Sequence, residues 1–317
     1  MTPRRVVCVT LNPSIDRTLC RVDADEAGWR VRLEHETAGG KGNNVARILR
    51  VLNVPTLAIV CAGGQGAKQI TELLARDDVP VHLVPAPHNV RFHTTILRKR
   101  GRPLFVHEAG SPWWDDLYPD ISRALATVYR AGDVVVVGGS PPPASPVTLV
   151  RDLIRYLGTT PTIVDAGPQY LIPALGANPY LVKVNDDELR RAWNMPEAPI
   201  AELLEKTAPS CIVGAVATMG KDGARAIWEE AFIQVQPLRV NEIASTLGAG
   251  DAFMAGLLWG LYRGETGAAC LARASAVAAE SIRWPTAGSI DPGRVNLDAI
   301  GVSVENKGGI GRGDLQD

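Results

Sequence analysis

The segment Gly248-Ala249-Gly250-Asp251 places a carboxylate directly after a glycine-rich turn and ahead of an apolar helical pattern. Glycines at two positions allow left-handed dihedrals and close approach of a ligand, so several backbone N–H groups can point at one anion. The helical pattern at 252–262 adds partial positive charge where phosphate charge would accumulate. Asp251 can then accept a proton from an attacking hydroxyl. The same residues also fit a simple turn with a helix N-cap.

A second glycine-rich segment, Gly39-Gly40-Lys41-Gly42-Asn43-Asn44, opens another helical pattern. The paired glycines allow a ligand to approach the backbone, and Lys41 supplies a mobile positive charge. Asn44 offers both a donor and an acceptor to sugar hydroxyls. The segment is not a Walker phosphate loop, because the four-residue spacer and the following Ser or Thr are missing.

Short apolar runs alternate with helical patterns along most of the chain. The runs that predict buried strands are 6–10, 56–60, 133–137, 162–165, 180–184 and 211–217. The helical patterns are 42–52, 69–76, 121–130, 147–157, 188–193 and 201–207, and after residue 251 the chain is predicted to be all helical, through 268–283. This alternation predicts an α/β fold in which helices cover both faces of a parallel sheet.

Two stretches break the alternation, at 17–37 and 91–107, where polar and apolar residues alternate as in antiparallel strands. We expect strands within about 12–37 and 90–110 to form a small β-sheet lid that closes over a substrate and offers a surface for a homodimer. The chain is expected to form a single domain over 1–307, with a flexible tail over the glycine-rich, charged residues 308–317.

Composition disfavours several classes of partner. The 317 residues carry 33 Lys plus Arg against 34 Asp plus Glu, a formal charge of -1, so a nucleic-acid partner is not expected. No apolar stretch reaches membrane-spanning length, so no membrane partner is expected either. The five cysteines are scattered without metal-ligand spacing, as is typical of free thiols in a reducing compartment, which favours a cytoplasmic location.

With both glycine-rich segments in view, the chain resembles the PfkB (ribokinase-like) family of carbohydrate kinases over nearly its whole length. The family's two signatures match Gly39-Gly40-Lys41-Gly42-x-Asn44 and Gly248-Ala249-Gly250-Asp251. The opening Thr10-Leu11-Asn12-Pro13-Ser14-Ile15-Asp16 resembles the branch of 1-phosphofructokinases and tagatose-6-phosphate kinases. The resemblance implies a ribokinase-like three-layer α/β/α sandwich with a mainly parallel central sheet and a small β-sheet lid.

The resemblance also implies a nucleotide side of the site. Lys183-Val184-Asn185-Asp186-Asp187-Glu188 is similar to a family segment in which the lysine lies near the ATP phosphates. Asn185 and Glu188 would organise Mg²⁺, largely through water, although the same pair also fits a helix capping box. Thr218-Met219-Gly220-Lys221-Asp222-Gly223 resembles the nucleotide-binding turn, and a tight hairpin is its structural alternative. Thr218, Gly220 and Gly223 are the candidate nucleotide contacts there.

On the substrate side the resemblance implies that Asp16, Gly39, Gly40 and Asn44 hold the sugar, and that Arg91 with Lys41 holds its phosphate. The family's Arg-x-Asn-x-Lys continues here as Arg91-Phe92-His93-Thr94-Thr95, and its Asn-Glu-Pro-Gly appears as His107-Glu108-Ala109-Gly110. His93 and His107 therefore fall at pocket positions, where a histidine is either a substrate contact or a packed side chain.

Taken together, the sequence predicts ATP-dependent phosphoryl transfer to a hydroxyl of a sugar phosphate, such as fructose 1-phosphate or tagatose 6-phosphate. Asp251 is the expected general base, with the backbone of Gly248, Ala249 and Gly250 stabilising the transferred phosphoryl group. Two alternatives stay open at this point: a kinase of an unphosphorylated sugar or nucleoside, and a non-catalytic sugar-phosphate sensor on a kinase scaffold.

Overall fold

A computed structural model of the chain describes residues 2–25, 28–98, 103–112 and 114–306. The strands, numbered in chain order, are β1 (Arg5–Thr10), β2 (Ser14–Asp25), β3 (Gly28–Gly39), β4 (Thr56–Gly63), β5 (Val81–Asn89), β6 (Arg91–Leu97), β7 (Leu104–His107), β8 (Asp133–Gly138), β9 (Thr162–Asp165), β10 (Leu181–Asn185), β11 (Gly214–Thr218), β12 (Ala224–Trp228), β13 (Ala231–Val235) and β14 (Val302–Asn306). The helices are α1 (Lys41–Val51), α2 (Gly64–Arg76), α3 (Leu117–Val128), α4 (Leu149–Leu157), α5 (Pro168–Leu175), α6 (Asp186–Trp193), α7 (Ile200–Thr207), α8 (Ala249–Tyr262) and α9 (Gly267–Ser281). The expected tail 308–317 lies outside the described residues.

The larger of the two sheets has ten strands in the order β14-β13-β12-β11-β10-β9-β8-β1-β4-β5. All neighbours from β11 to β5 are parallel, and β12, β13 and β14 extend the sheet in antiparallel fashion. Strand β1 shows why both faces must be covered: Val6 and Cys8 are buried in one core, and Val7 and Val9 in the other. Helices α1, α2, α8 and α9 form the first core with the sheet, and α3 to α7 form the second. The predicted three-layer arrangement is confirmed.

The smaller sheet has four strands in the order β3-β2-β6-β7. Its two hairpins, β2 with β3 and β6 with β7, are antiparallel as the sequence predicts. The hairpins join through β2 and β6, which pair in parallel and are separated in the chain by β3, α1, β4, α2 and β5. The expectation of purely antiparallel pairing is therefore wrong at this junction.

The helical pattern predicted after residue 251, through 268–283, is confirmed by α8 and α9, but the strand beyond it was not predicted. Strand β14 follows α9 and pairs with β13 at the edge of the large sheet. Its five residues give a weak pattern, since Val302 and Val304 alternate with polar neighbours over too short a length to stand out.

Helix α8 carries the expected base at its N-terminus and is apolar on nearly every side, as is typical of a helix buried within a core. Two glycines allow its close contact with α9: a Cβ at Gly256 would lie 2.7 Å from the Cα of Ala274, and one at Gly260 would lie 2.8 Å from the Cα of Cys270. This packing fixes the position of Asp251. Within the described residues, no helix is long and apolar enough to cross a membrane.

Candidate active site

A cleft of about 720 Å³ opens where the parallel strands end, and the small sheet forms its opposite wall. Residues at or just after the carboxyl ends of β1, β8, β10 and β11 line one side, as is usual for ligand sites in open parallel sheets. Most residues that the sequence singles out line this one cleft: Asp16, Gly40, Lys41, Asn44, Arg91, Lys183, Asn185, Glu188, Thr218, Gly220, Gly248, Gly250 and Asp251. His93 and His107 line it as well.

Three of the singled-out residues do not line the cleft. Gly39 leaves room for Asp16, because a Cβ there would lie 2.0 Å from the Asp16 Oδ1 atom. Gly223 has φ +84° in the β11–β12 hairpin, where a Cβ would lie 2.1 Å from the carbonyl oxygen of Val235. Ala249 is the first residue of α8. Each of these residues shapes the backbone next to the cleft.

The turn before α8 presents unpaired backbone donors to the cleft. Gly248 adopts a left-handed conformation with φ +79°, which a residue with a side chain rarely does. Among the described residues, no hydrogen-bond acceptor is paired with the N–H groups of Gly248, Gly250 and Asp251. The Ala249 N–H instead donates to the carbonyl oxygen of Thr246, at 3.3 Å. Three donors at a helix N-terminus form a pocket suited to an anion.

Asp251 is buried at the base of this pocket. Its Oδ2 accepts a hydrogen bond of 2.7 Å from the Asn44 side-chain amide. Burial raises the pKa of Asp251 to about 6, while the nearby Lys41 ammonium opposes the rise and the charge of Asp165 adds to it. A carboxyl group with that pKa is largely ionised at neutral pH, yet is more basic than an ordinary aspartate.

A carboxylate that the sequence reasoning missed, Asp165, joins two of the predicted lysines. It lies buried at the end of β9, where its Oδ1 accepts from Lys41 Nζ at 2.7 Å and its Oδ2 from Lys183 Nζ at 2.8 Å. Burial favours the neutral acid, but the two ammonium groups outweigh it, and the pKa of Asp165 is lowered. The sequence does carry a signal, since an aspartate ending a buried parallel strand lies at the edge where ligands bind.

Lys183 and Glu188 extend this charged cluster toward the anion pocket. Lys183 Nζ lies 3.0 Å from the point where a Cβ of Gly250 would be. Glu188 Oε1 lies 3.7 Å from Lys41 Nζ. Asn185 and Glu188 also form a capping box for α6: the Glu188 N–H donates to Asn185 Oδ1 at 2.7 Å, and the Asn185 N–H donates to Glu188 Oε2 at 3.2 Å. Asn185 and Glu188 therefore cap α6 and also line the cleft.

The wall formed by the small sheet holds a hydrogen-bonded carboxylate. Ser14, a second residue that the sequence reasoning missed, donates its hydroxyl to Asp16 Oδ1 at 2.6 Å. His93 Nδ1 lies 3.6 Å from the same oxygen. The Arg91 guanidinium donates to three backbone carbonyl groups, those of Asn12 at 3.0 Å, Glu108 at 3.3 Å and Pro13 at 3.4 Å. Arg91 therefore holds the chain segments around it as well as facing the cleft.

Comparisons with known proteins agree with this geometry. Residues 9–292 match the model of the pfkB family carbohydrate kinases. A 1-phosphofructokinase of Haloferax volcanii is 31% identical over 80% of this chain and 83% of its own length. A 1-phosphofructokinase of Escherichia coli is 27% identical over 95% of this chain and 98% of its own length.

Among solved structures, phosphofructokinase-2 of Escherichia coli in complex with fructose-6-phosphate has a TM-score of 0.79 and is 25% identical, covering 89% of this chain and 94% of that one. This superposition agrees with the ribokinase-like fold class that the sequence predicts. The family match extends from the end of β1 to beyond α9 and includes both glycine-rich segments. The chain therefore belongs to the pfkB family of carbohydrate kinases.

Proposed function

We propose that the chain transfers a phosphoryl group from ATP to a hydroxyl of a sugar phosphate, with fructose 1-phosphate and tagatose 6-phosphate as the first candidates. The observation that carries this proposal is Asp251, a buried carboxylate with a pKa of about 6 beside three free backbone N–H groups. The same cleft contains Asp16 and Arg91 on its opposite wall. Support for the acceptor class comes from the relatives named 1-phosphofructokinase and from the neighbour solved with fructose-6-phosphate.

In the proposed reaction, the acceptor hydroxyl oxygen attacks the terminal phosphorus of ATP as its proton passes to Asp251. The bond from that phosphorus to the bridging oxygen breaks, and ADP leaves with the electron pair. The N–H groups of Gly248, Gly250 and Asp251 stabilise the charge on the transferred group. Asn44 donates to Oδ2 of the base and so helps to hold its carboxylate in one orientation.

The nucleotide half of the proposed site is formed by Lys183, Asn185, Thr218 and Gly220 in the cleft, with Gly223 shaping the turn. Among the described residues, no three His, Cys, Asp or Glu side chains converge as direct metal ligands. The hard oxygens of Asn185 and Glu188 at the edge of the cleft fit Mg²⁺ held through water and ATP phosphates, the mode this cation prefers. Bound there, Mg²⁺ would neutralise phosphate charge.

The acceptor half of the proposed site is formed by Asp16, Gly40 and Asn44, which would bind sugar hydroxyls, and by Arg91. Gly39 provides the space that Asp16 occupies. Lys41 is the first residue of α1, and its ammonium contacts Asp165 and lies 3.7 Å from Glu188. It also interacts electrostatically with Asp251. It therefore lies between the two halves of the cleft, where a phosphate of either substrate can reach it.

One observation favours a second candidate function, a kinase of an unphosphorylated sugar or nucleoside. Arg91 donates to three carbonyl groups, and Lys41 is paired with Asp165, so both predicted phosphate contacts already have partners. The variant Arg91→Ala separates the candidates. Loss of a charge-assisted phosphate contact should raise the acceptor KM about tenfold or more, whereas an unphosphorylated acceptor should show little change.

We further propose that residues 1–307 act as one kinase domain, in the cytoplasm, with the small sheet as the lid. Closure of the lid would exclude water from the transferred phosphoryl group. The small sheet also exposes apolar side chains, which supports its use as a homodimer surface: Val22, Val31, Leu33, Leu104 and Val106.

The test of the proposed function is ADP release with Mg-ATP across a panel of sugar phosphates, free sugars and nucleosides. We expect the highest kcat/KM with a ketohexose monophosphate, and loss of turnover in Asp251→Asn. Absence of turnover with every acceptor would refute the kinase proposal and favour a sensor. An undiminished rate in the Asp251→Asn variant would refute the assigned base.

A further inference from the structure

One row of side chains crosses the small sheet on the face that lines the cleft. Asp16 on β2 is directly opposite His93 on β6, and His93 is directly opposite His107 on β7. Directly opposite residues point to the same face of a sheet, and all three line the cleft.

The contacts within the row are close. The rings of His93 and His107 meet edge to face, with centroids 4.4 Å apart and planes at 76°. His93 Nδ1 lies 3.6 Å from Asp16 Oδ1 and 3.5 Å from the Ser14 hydroxyl that donates to that oxygen. Ser14 and His93 therefore both lie next to Asp16. His107 packs against the His93 ring and restrains its orientation.

The electrostatic surroundings define the state of His93. Burial lowers the pKa of His93 to about 4, and the nearby charges of Arg91 and His107 act in the same direction. A hydrogen-bond contact with the Glu108 backbone acts in the opposite direction on this pKa. The imidazole is therefore neutral at physiological pH, with one nitrogen as donor and the other as acceptor. Nδ1 faces the carboxylate, so the tautomer with its proton on Nδ1 is the one that can donate to Asp16. Within the described part of the chain, Nε2 is buried and has no hydrogen-bond partner.

We propose that His93, held in place by His107, is a positioning residue that fixes the Asp16 carboxylate against an acceptor hydroxyl and thereby sets acceptor affinity. This inference rests on the proposed kinase function. In the proposed complex, the neutral imidazole donates from Nδ1 to Asp16, and the 3.6 Å separation between Nδ1 and Oδ1 shortens as the acceptor closes the cleft. Burial raises the pKa of Asp16, while the Ser14 hydrogen bond and the charges of Arg47 and Arg91 oppose that rise. A further hydrogen bond donated to the carboxylate favours its ionised form, which suits a group that must accept from a hydroxyl.

The test compares His93→Ala, His93→Asn and His107→Asn with the unaltered protein, using fructose 1-phosphate and tagatose 6-phosphate as acceptors. His35→Asn is the matched control, since His35 is an exposed histidine of β3 outside the cleft. We expect His93→Ala to raise the acceptor KM about tenfold, with the ATP KM and kcat within about twofold, because the lost contact affects acceptor binding alone. His93→Asn keeps an amide donor and should recover part of the loss, and His107→Asn should have a smaller effect.

Direct binding of the same two sugar phosphates to Asp251→Asn protein, by calorimetry with and without the His93 change, separates this inference from the proposed function. An acceptor KM and affinity unchanged by His93→Ala in an enzyme that does turn over would overturn the inference and leave the function intact. Equal increases of the acceptor KM and the ATP KM in His93→Ala would also overturn it, because they indicate a general structural effect. The same follows if His35→Asn raises the acceptor KM as much as His93→Ala does. Neither turnover nor binding of any acceptor by the unaltered protein would overturn both.

Discussion

The pH dependence of turnover gives the most direct test of Asp251 as the base. Burial raises its pKa to about 6, and a general base acts only when it is deprotonated. We therefore expect kcat/KM to be constant above about pH 7 and to fall as pH decreases through 6. With a single titration at about 6, the value at pH 5 should be about a tenth of the plateau.

A phosphate monoester also titrates near pH 6, so the acidic limb alone does not identify the group. The Lys41 ammonium lowers the pKa of Asp251, and replacing it with the uncharged methionine should raise that pKa and move the limb to higher pH. If the acidic limb of the kcat/KM profile reflects titration of the substrate phosphate, its midpoint should be the same in Lys41→Met and in the unaltered protein. A change in that midpoint between the two proteins therefore identifies Asp251 as the titrating group.

The assay is direct quantification of ADP between pH 5 and 8.5 at constant ionic strength, for the unaltered protein, Lys41→Met and Asp251→Asn. The last variant should lose about 10²- to 10⁴-fold in kcat, the usual contribution of a positioned base. The reasoning is refuted by a flat profile, by a limb that moves to lower pH in Lys41→Met, or by a loss of less than tenfold in Asp251→Asn.

Three further changes have defined outcomes. Asp165→Asn should lower the free energy of unfolding by about 3–5 kcal/mol, measured with urea at pH 7, because the buried Lys183 ammonium and the partly exposed Lys41 ammonium lose their partner. The pKa of Asp165 is lowered in the folded protein, so its stabilisation should be present above about pH 4, lost as pH falls further, and absent from the variant. Gly39→Ala should displace Asp16 and raise the acceptor KM, while Gly301→Ala, whose Cβ meets only a movable Gln236 side chain at 3.3 Å, should not. Asn185→Ala should cost about 1 kcal/mol of stability by thermal unfolding through loss of the α6 cap, and an unchanged melting temperature would contradict this.

The large sheet was predictable because its strands are apolar runs buried on both faces. The run at 133–137, for example, matches β8, and the pattern at 42–52 matches α1 within one residue at each end. Helix α5 was not predicted, because its eight residues include Pro168 and Pro173, which are poor helix formers in sequence-based reasoning. Strands β12 and β13 were missed because a polar residue interrupts each short apolar run, Arg225 in β12 and Gln234 in β13.

For the site, glycine spacing was the informative signal. It predicted that Gly40 and Lys41 share one cleft with Asp251, which lies about 200 residues later in the chain, and the structure places them together. Pairings of side chains could not be predicted in the same way. That Lys41 bonds to Asp165, and that Arg91 donates to backbone carbonyls, depends on rotamers and distances between elements, which local residue patterns do not encode.

The carboxylate of Asp165 acts as a built-in counterion for the two lysines of the cleft. It already satisfies one donor on each of Lys41 and Lys183, so an anion from solution gains little by approaching either ammonium group alone. A ligand that brings several phosphate oxygens at once can instead bond to the free N–H groups beside Gly250 while sharing the lysines with Asp165. We expect this competition to favour ligands that present several phosphate oxygens together, so inorganic phosphate should compete weakly with a polyphosphate for this part of the cleft.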